Sequence, residues 1–260
     1  MLIKTVIATV VTTYIGFSSF ALASTPTPVF TAEQEARIGE LAGAYLLEHP
    51  EILVQVSQKL QAQQTARQQM GYALNVMEHQ EALLNDPDTP VTGPKEASVA
   101  VIEFFDYQCV FCSRLAPAME EVMKASPETR FVFKEWPIFA QRWENSEKAA
   151  ERGVAIWKEK GAEAYLTYHN GIYHTGHHEG ELTEQDIATA SAAAGYTADK
   201  HQDVKEALER TNTLAQALGL TGTPGLIVMP VKNATPEKIT VFPGLATAEQ
   251  ILSAVEKARH

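Results

Sequence analysis

The chain has two cysteines, set three residues apart as Cys109-Val110-Phe111-Cys112, directly behind the apolar run Val99-Ala100-Val101-Ile102-Glu103-Phe104-Phe105. The run has the β-branched and aromatic character of a buried strand. After the short link Asp106-Tyr107-Gln108, the segment Cys109 to Lys124 reads as a helix. The pair therefore sits at a helix N-terminus, where unpaired N–H groups and the positive dipole end favour a thiolate on the first cysteine. A thiolate attacks a disulfide, and a second thiol one turn later resolves the mixed disulfide. Cys109 is expected to be the exposed nucleophile and Cys112 the resolving thiol.

Other uses of two cysteines fit less well. A structural zinc site takes about four ligands, and no second cysteine pair exists. A purely structural bridge over so short a loop would constrain the unfolded chain little. A redox-active dithiol also needs no organic cofactor, because the pair is itself the redox group.

The first 23 residues read as a secretory signal peptide. Lys4 supplies the positive end, Val6 to Phe20 is largely apolar, and Ala21-Leu22-Ala23 has the small-x-small form of a cleavage site. A membrane anchor is the weaker reading, since the stretch is short, carries Thr12, Thr13, Ser18 and Ser19, and has no basic residues behind it. An oxidising compartment is expected, with the bacterial periplasm preferred. The net charge is −11 and no basic cluster interrupts it, which disfavours nucleic acid as a partner.

The turn-rich stretch at 86–98, with Pro87, Pro90 and Pro94, reads as a linker. Before it, residues 24–85 read as all-helical. Thr31 and Gln34 have capping-box spacing, and Ile38, Leu41, Ala42, Tyr45 and Leu46 follow a helical stripe. A second helix is expected from Pro50 to about Leu84, with a heptad seam on Leu53, Val56, Leu60, Gln63, Arg67, Met70, Leu74 and Met77. Six of those eight are apolar, so the segment reads as a stalk for a homo-oligomer, dimer or trimer, rather than as a helix folded back on its own domain. Beyond the linker the order is strand (Val99–Phe105), helix, strand (Arg130–Lys134), a helical insert over about 144–219, strand (Leu226–Met229), strand (Lys238–Phe242) and a closing helix. Thr183 with Asp186 and Thr247 with Gln250 have capping-box spacing, and Leu182 with Ile187 can staple the first of these helices. The strand–helix–strand unit requires parallel strands, and the last two strands suit a hairpin.

With these pieces in place, residues 99–260 resemble the thioredoxin superfamily, specifically DsbA-like thiol–disulfide oxidoreductases. The resemblance rests on Glu103-Phe104-Phe105, Cys109 and Cys112, Lys134-Glu135-Trp136-Pro137-Ile138, and Thr221-Gly222-Thr223-Pro224. The N-terminal segment, through Leu46-Leu47-Glu48-His49-Pro50-Glu51-Ile52-Leu53, resembles that of ScsC-like relatives. The implied fold class is α/β: a thioredoxin-like domain with a helical insert, preceded by a helical oligomerisation segment. The resemblance implies that Pro224 is cis, that the backbone of Thr223 pairs with a substrate strand, and that Glu103 relays the proton of the resolving thiol, with Lys134 as its neighbour. Exported client proteins bearing thiols or disulfides and a membrane redox partner are the implied partners. Phe111 stands where strongly oxidising relatives carry histidine, which implies a milder oxidant, and oxidase against isomerase stays open. A secreted dithiol reductase or a copper-handling protein of the same fold is the alternative. His169, His174, His177 and His178 could supply copper or zinc ligands. Gly171, Gly176 and Gly180 favour a flexible, solvated loop there instead, so no metal site is assigned.

Overall fold

The structure, a computed structural model, describes residues 29–197 and 204–260. The signal peptide expected over residues 1–23 lies outside the described residues. The chain divides into two compact units, one ending at Gln58 and one spanning Lys59–His260.

In the first unit, helix α1 (Ala32–Glu48) opens on the expected capping box. The Thr31 hydroxyl accepts from the Gln34 N–H at 3.3 Å, and the Gln34 side chain accepts from the Thr31 N–H at 2.9 Å. No residue of α1 is buried, and Ile38, Leu41 and Tyr45 stand half exposed. His49 and Pro50 break the chain before α2 (Glu51–Glu78).

The second unit is built on a five-stranded sheet. In chain order its elements are the end of α2, α3 (Gln80–Leu84), β1 (Val91–Thr92), β2 (Val99–Phe105), α4 (Val110–Ala125), β3 (Arg130–Glu135), α5 (Asn145–Lys160), α6 (Ala162–His174), α7 (Glu184–Ala193), α8 (Lys205–Ala217), β4 (Gly225–Pro230), β5 (Thr240–Phe242) and α9 (Ala248–Arg259). The sheet order is β1-β3-β2-β4-β5. As expected, β2 and β3 are parallel and β4–β5 is an antiparallel hairpin. Both faces of β2 are covered, which explains why its sequence reads as one apolar run rather than an alternation. Val99, Val101 and Phe105 pack among residues of α4, α9 and the insert helices. Ala100, Ile102 and Phe104 pack on the other face, among residues of α2, α3 and α8.

That second face changes the reading of the N-terminal helices. Ala73 and Val76 of α2 and Leu83 and Leu84 of α3 are buried in the same cluster as β2 and β4. The helix expected to stand off the catalytic domain as far as Leu84 thus supplies part of that domain's core. Of the heptad seam, Met77 packs against this cluster, contrary to expectation, while Leu53, Val56, Leu60, Met70 and Leu74 lie elsewhere on α2 and remain 45–55% exposed. Gln69 reaches the edge strand, donating to the Val241 carbonyl at 2.8 Å and accepting from its N–H at 3.2 Å.

Apart from one-residue shifts at the ends of α4, β3 and β4, three features differ from expectation. The helix divides at His79 into α2 and α3. The stretch expected to be a linker contains β1, which pairs antiparallel with β3 through Val91↔Val132 and Thr92↔Phe131. Gly93 leaves that strand at φ +87°, and a Cβ there would lie 2.2 Å from the Thr129 carbonyl oxygen, so the turn requires glycine. Finally, β5 starts at Thr240 rather than Lys238, because Pro236–Lys238 form a 3₁₀ turn.

Candidate active site

Cys109 is the N-cap of α4, in extended backbone conformation at the carboxyl end of β2. The link between them is fixed by buried Asp106. Its carboxylate accepts from the Gln108 N–H at 2.8 Å, the Phe139 N–H at 2.9 Å and the Ser146 hydroxyl at 2.8 Å. Gln108 is held from the insert: its side chain accepts from the Gly180 N–H at 2.8 Å and its carbonyl from the Glu179 N–H at 2.9 Å. The approach to Cys109 is therefore rigid on two sides.

Cys109 and Cys112 are unbridged. The Cys109 thiol donates to the Thr223 carbonyl at 3.3 Å, and the Thr223–Pro224 bond is cis. Hydrogen bonding from Cys112, then from Thr223 and the Cys112 and Phe111 N–H groups, draws the Cys109 pKa down to about 6 against the opposing pull of burial. Burial, reinforced by the neighbouring Cys109, pushes the Cys112 thiol well above its ordinary range. One attacking and one proton-holding thiol result. Contrary to expectation, Cys109 is only 3% exposed, because the Thr223 loop lies against its sulfur.

Glu103 lies in the middle of β2 and is buried. Its Oε2 has no partner, and burial raises its pKa to about 8. The expected pairing with Lys134 is not formed. In the β2–β3 register Phe104 sits beside Lys134 and Glu103 beside Phe133, so the pleat sends Lys134 to the face opposite Glu103. The Lys134 ammonium instead donates to the Ala82 carbonyl and the Thr89 hydroxyl, each at 2.8 Å, with Asp86 at 3.7 Å. Burial lowers its pKa to about 8, Asp86 opposing. Lys134 pins the α3–β1 connection and does not come to the cysteine pair.

The acid on the Glu103 face is Glu135, which the sequence reading passed over beside Lys134. Its Oε1 accepts from the Tyr107 hydroxyl at 3.0 Å and the Tyr165 hydroxyl at 2.9 Å. The signal was available: a second acid closing an apolar strand, two positions on from Phe133. Asp106 and Gln108, also missed, lay in a link too short to reveal its hydrogen bonds.

The four histidines do not converge. His169 is buried in α6 among Phe105, Phe133 and Tyr173, with ring centroids 4.8–5.0 Å away, and its Nδ1 meets the Tyr107 hydroxyl at 3.2 Å. Burial lowers its pKa to about 3. This corrects the solvated-loop reading for His169, because Tyr165, Tyr168, Ile172 and Tyr173 share its helix face. His174 turns to Glu120 at 3.0 Å and His177 to Asp186 at 2.9 Å. Among the described residues, no group of three His, Cys, Asp or Glu side chains could hold a metal ion.

Residues 84–242 match the family described as thioredoxin, and residues 34–67 the family described as the N-terminal domain of the copper resistance protein ScsC. The crystal structure of BcfH from Salmonella enterica Typhimurium is 39% identical, with a TM-score of 0.72, covering 88% of this chain and 97% of that one. ScsC from Proteus mirabilis, in a transitional conformation, is 25% identical with a TM-score of 0.60 over 88% of this chain and 97% of that one. The thiol-disulfide exchange protein α-DsbA2 of Wolbachia pipientis, 20% identical over 74% of this chain and 97% of that one, shares the fold with a TM-score of 0.62. A curated relative, the Na(+)/H(+) antiporter NhaA 3 of Salinispora tropica, is 30% identical over 154 residues, which are 55% of this chain and 23% of that protein. The chain thus spans about a quarter of the length of the curated relatives it matches.

Proposed function

The chain belongs to the thioredoxin family and carries a ScsC-type N-terminal domain, and from this premise we propose that it is a periplasmic thiol–disulfide oxidoreductase that forms or isomerises disulfides in exported proteins. The observation that carries this reading is the asymmetry of the pair. Cys109, at the N-cap of α4 with a pKa near 6, is about nine-tenths thiolate at pH 7. Cys112, fully buried, keeps its proton. Cys109 attacks a client disulfide, one client sulfur leaves as thiolate, and Cys112 then displaces the other to close the Cys109–Cys112 bridge. Run in reverse, the same steps donate a disulfide. The Thr223 backbone presents the client strand. A membrane redox partner resets the pair.

The half-exposed seam Leu53, Val56, Leu60, Met70 and Leu74 supports self-association as a dimer or trimer, since apolar residues at heptad spacing are stabilised when a second helix covers them. Phe111, half exposed beside Cys112, supports a milder oxidant than relatives with histidine there. Equilibration of the pair with a glutathione buffer tests the direction. A potential of about −120 mV is that of a strong oxidase and about −270 mV that of a reductase. An isomerase is expected between them, and no exchange with glutathione at all would overturn the reading.

A further inference from the structure

Glu103 and Glu135 are the two acids on one face of neighbouring strands. The register Glu103↔Phe133 and Phe105↔Glu135 sets them diagonally across β2 and β3, beneath the helix that carries Cys112. Both are nearly inaccessible, and each has an Oε2 without a hydrogen-bond partner. The Oε1 of Glu135 is built into the site. Tyr107 and Tyr165 donate to it, and Tyr107 belongs to the link that ends on Cys109. Helix α5 passes over this carboxyl with Gly153, where a Cβ would lie 2.4 Å from Oε1, so the helix leaves room for the acid and nothing more. On its far side Glu135 lines a small cleft, with room for about one water molecule, together with Asp88, Thr89, Leu208 and Thr211.

We propose that Glu135 is a second proton carrier behind Cys112, taking from Glu103 the proton that the resolving thiol releases and passing it to solvent through the pocket beside Asp88 and Thr211. This deepens the oxidoreductase reading and rests on it. The balance is that of one exchange. The Cys112 sulfur attacks the Cys109 sulfur of the mixed disulfide and its proton goes to Glu103 in its ionised form. The Cys109–Cys112 bond forms, the bond to the client breaks, and the client sulfur leaves with the electron pair. The protein dithiol is oxidised by two electrons and the client disulfide reduced. Glu103 is returned to its starting state only if that proton moves on, and Glu135 is the acid placed to receive it. Burial raises both carboxyls above the ordinary carboxylate range, so each takes up a proton from its ionised form and passes it on before the next turnover, the two tyrosine hydroxyls easing the ionisation of Glu135. The groups that face Glu135 are Glu103, Asp106 and Tyr107 from β2 and its link, and Tyr165, Tyr168 and Tyr173 from α6, with His169 hydrogen-bonded to Tyr107 behind them. At the mouth of the pocket stands Asp88, ion-paired to Lys158 and Arg210. Lys134, next in sequence, lies on the opposite face.

The test uses the full-length reduced protein with oxidised glutathione, rapid acid quench and mass spectrometry from pH 5 to 9. Formation of the Cys109–glutathione adduct and its decay by Cys112 attack are read separately. Glu135→Gln is expected to leave formation unchanged, to slow decay roughly tenfold at pH 7 and to remove one of two inflections in its pH profile. Decay with both inflections intact, while Glu103→Gln slows it, would end the relay at Glu103 and overturn the assignment of Glu135. Should Glu135→Gln not fold, Tyr165→Phe keeps the acid and removes one donor to its ionised form. The upper inflection should then move to higher pH, and an unmoved profile would likewise overturn the proposal. A wild-type protein that forms no adduct would overturn the oxidoreductase reading itself, and the relay with it.

Discussion

Phe111 stands between the two thiols in sequence, its ring half exposed and 5.6 Å from the Arg114 guanidinium. Because the ring supports no core, Phe111→His is expected to leave stability unchanged while adding a group that favours the Cys109 thiolate. The pair should become more oxidising by roughly 30 mV for each tenfold gain in the equilibrium with glutathione. Cys112→Ser leaves nothing to resolve the first adduct, so mixed disulfides with clients should accumulate on non-reducing gels. Brief iodoacetamide treatment near neutral pH should label Cys109 before Cys112, and the reverse order on peptide mapping would exchange their roles. Glu103 carries a pH prediction whose sign follows from its burial. Its pKa is about 8 in the folded protein against an ordinary 4.5. Its contribution to stability is full below about pH 4.5 and is lost as pH rises through about 8. Glu103→Gln should therefore gain on the wild type by a few kcal/mol in urea unfolding at pH 8 and differ little near pH 4. At this scale the sequence was readable wherever a residue's role is local. Thr223-Pro224 stands out only through the family resemblance, whereas the cysteine pair and the misplaced acid Glu103 each announce themselves beside their immediate neighbours. Lys134 and Glu135 do not, because which of two adjacent residues faces Glu103 is decided by the parallel register, a long-range property.

Helix α2 combines two tasks that the sequence reading set against each other. One side, with Ala73 and Val76, closes the sheet core, and the seam from Leu53 to Leu74 stays open. The expectation that residues 24–85 can be removed as a block therefore gives way to a different cut. Deletion through Gln58 should leave a folded, redox-active chain whose self-association is weakened by the loss of α1, Leu53 and Val56. Deletion through Leu84 removes Ala73, Val76, Leu83 and Leu84 from the core, together with the Ala82 carbonyl that the buried Lys134 ammonium requires. That loss is on the order of several kcal/mol, comparable with a domain's whole stability, so the longer deletion should fail to unfold cooperatively on heating. Capping chemistry was fully legible: the boxes at Thr31, Thr183 and Thr247 all form. The two-residue strand β1 was not, since Val91-Thr92 between Pro90 and Gly93 carries turn signals and only its pairing with β3 defines it.

For the whole molecule, the proposed self-association is what would separate shuffling from simple donation of disulfides. Several Cys109 sites on one particle can engage one misfolded client repeatedly. Light scattering of the mature chain at micromolar concentration should give a dimer or trimer, and a monomer would sink the self-association reading. Deletion through Gln58 should then lower recovery of a scrambled multi-disulfide substrate more than it lowers oxidation of a reduced one. The fold class was legible from the strand–dithiol–helix unit and the order of elements. The way the N-terminal helix is divided between core and surface was not, because heptad spacing identifies a seam without revealing what a neighbouring face of the same helix meets.

Gln69 gives that division a further consequence. An outermost strand offers its unpaired backbone to any other chain that can extend the sheet. Here a glutamine amide occupies the Val241 N–H and carbonyl in place of another strand. Ladder growth from β5 must wait until α2 lifts, and the Val241 amide exchanges with deuterium on the same occasion. Its exchange rate is therefore a clock for undocking of the helix, and a substitution at Gln69 that speeds it should also hasten fibrous association of the warmed protein.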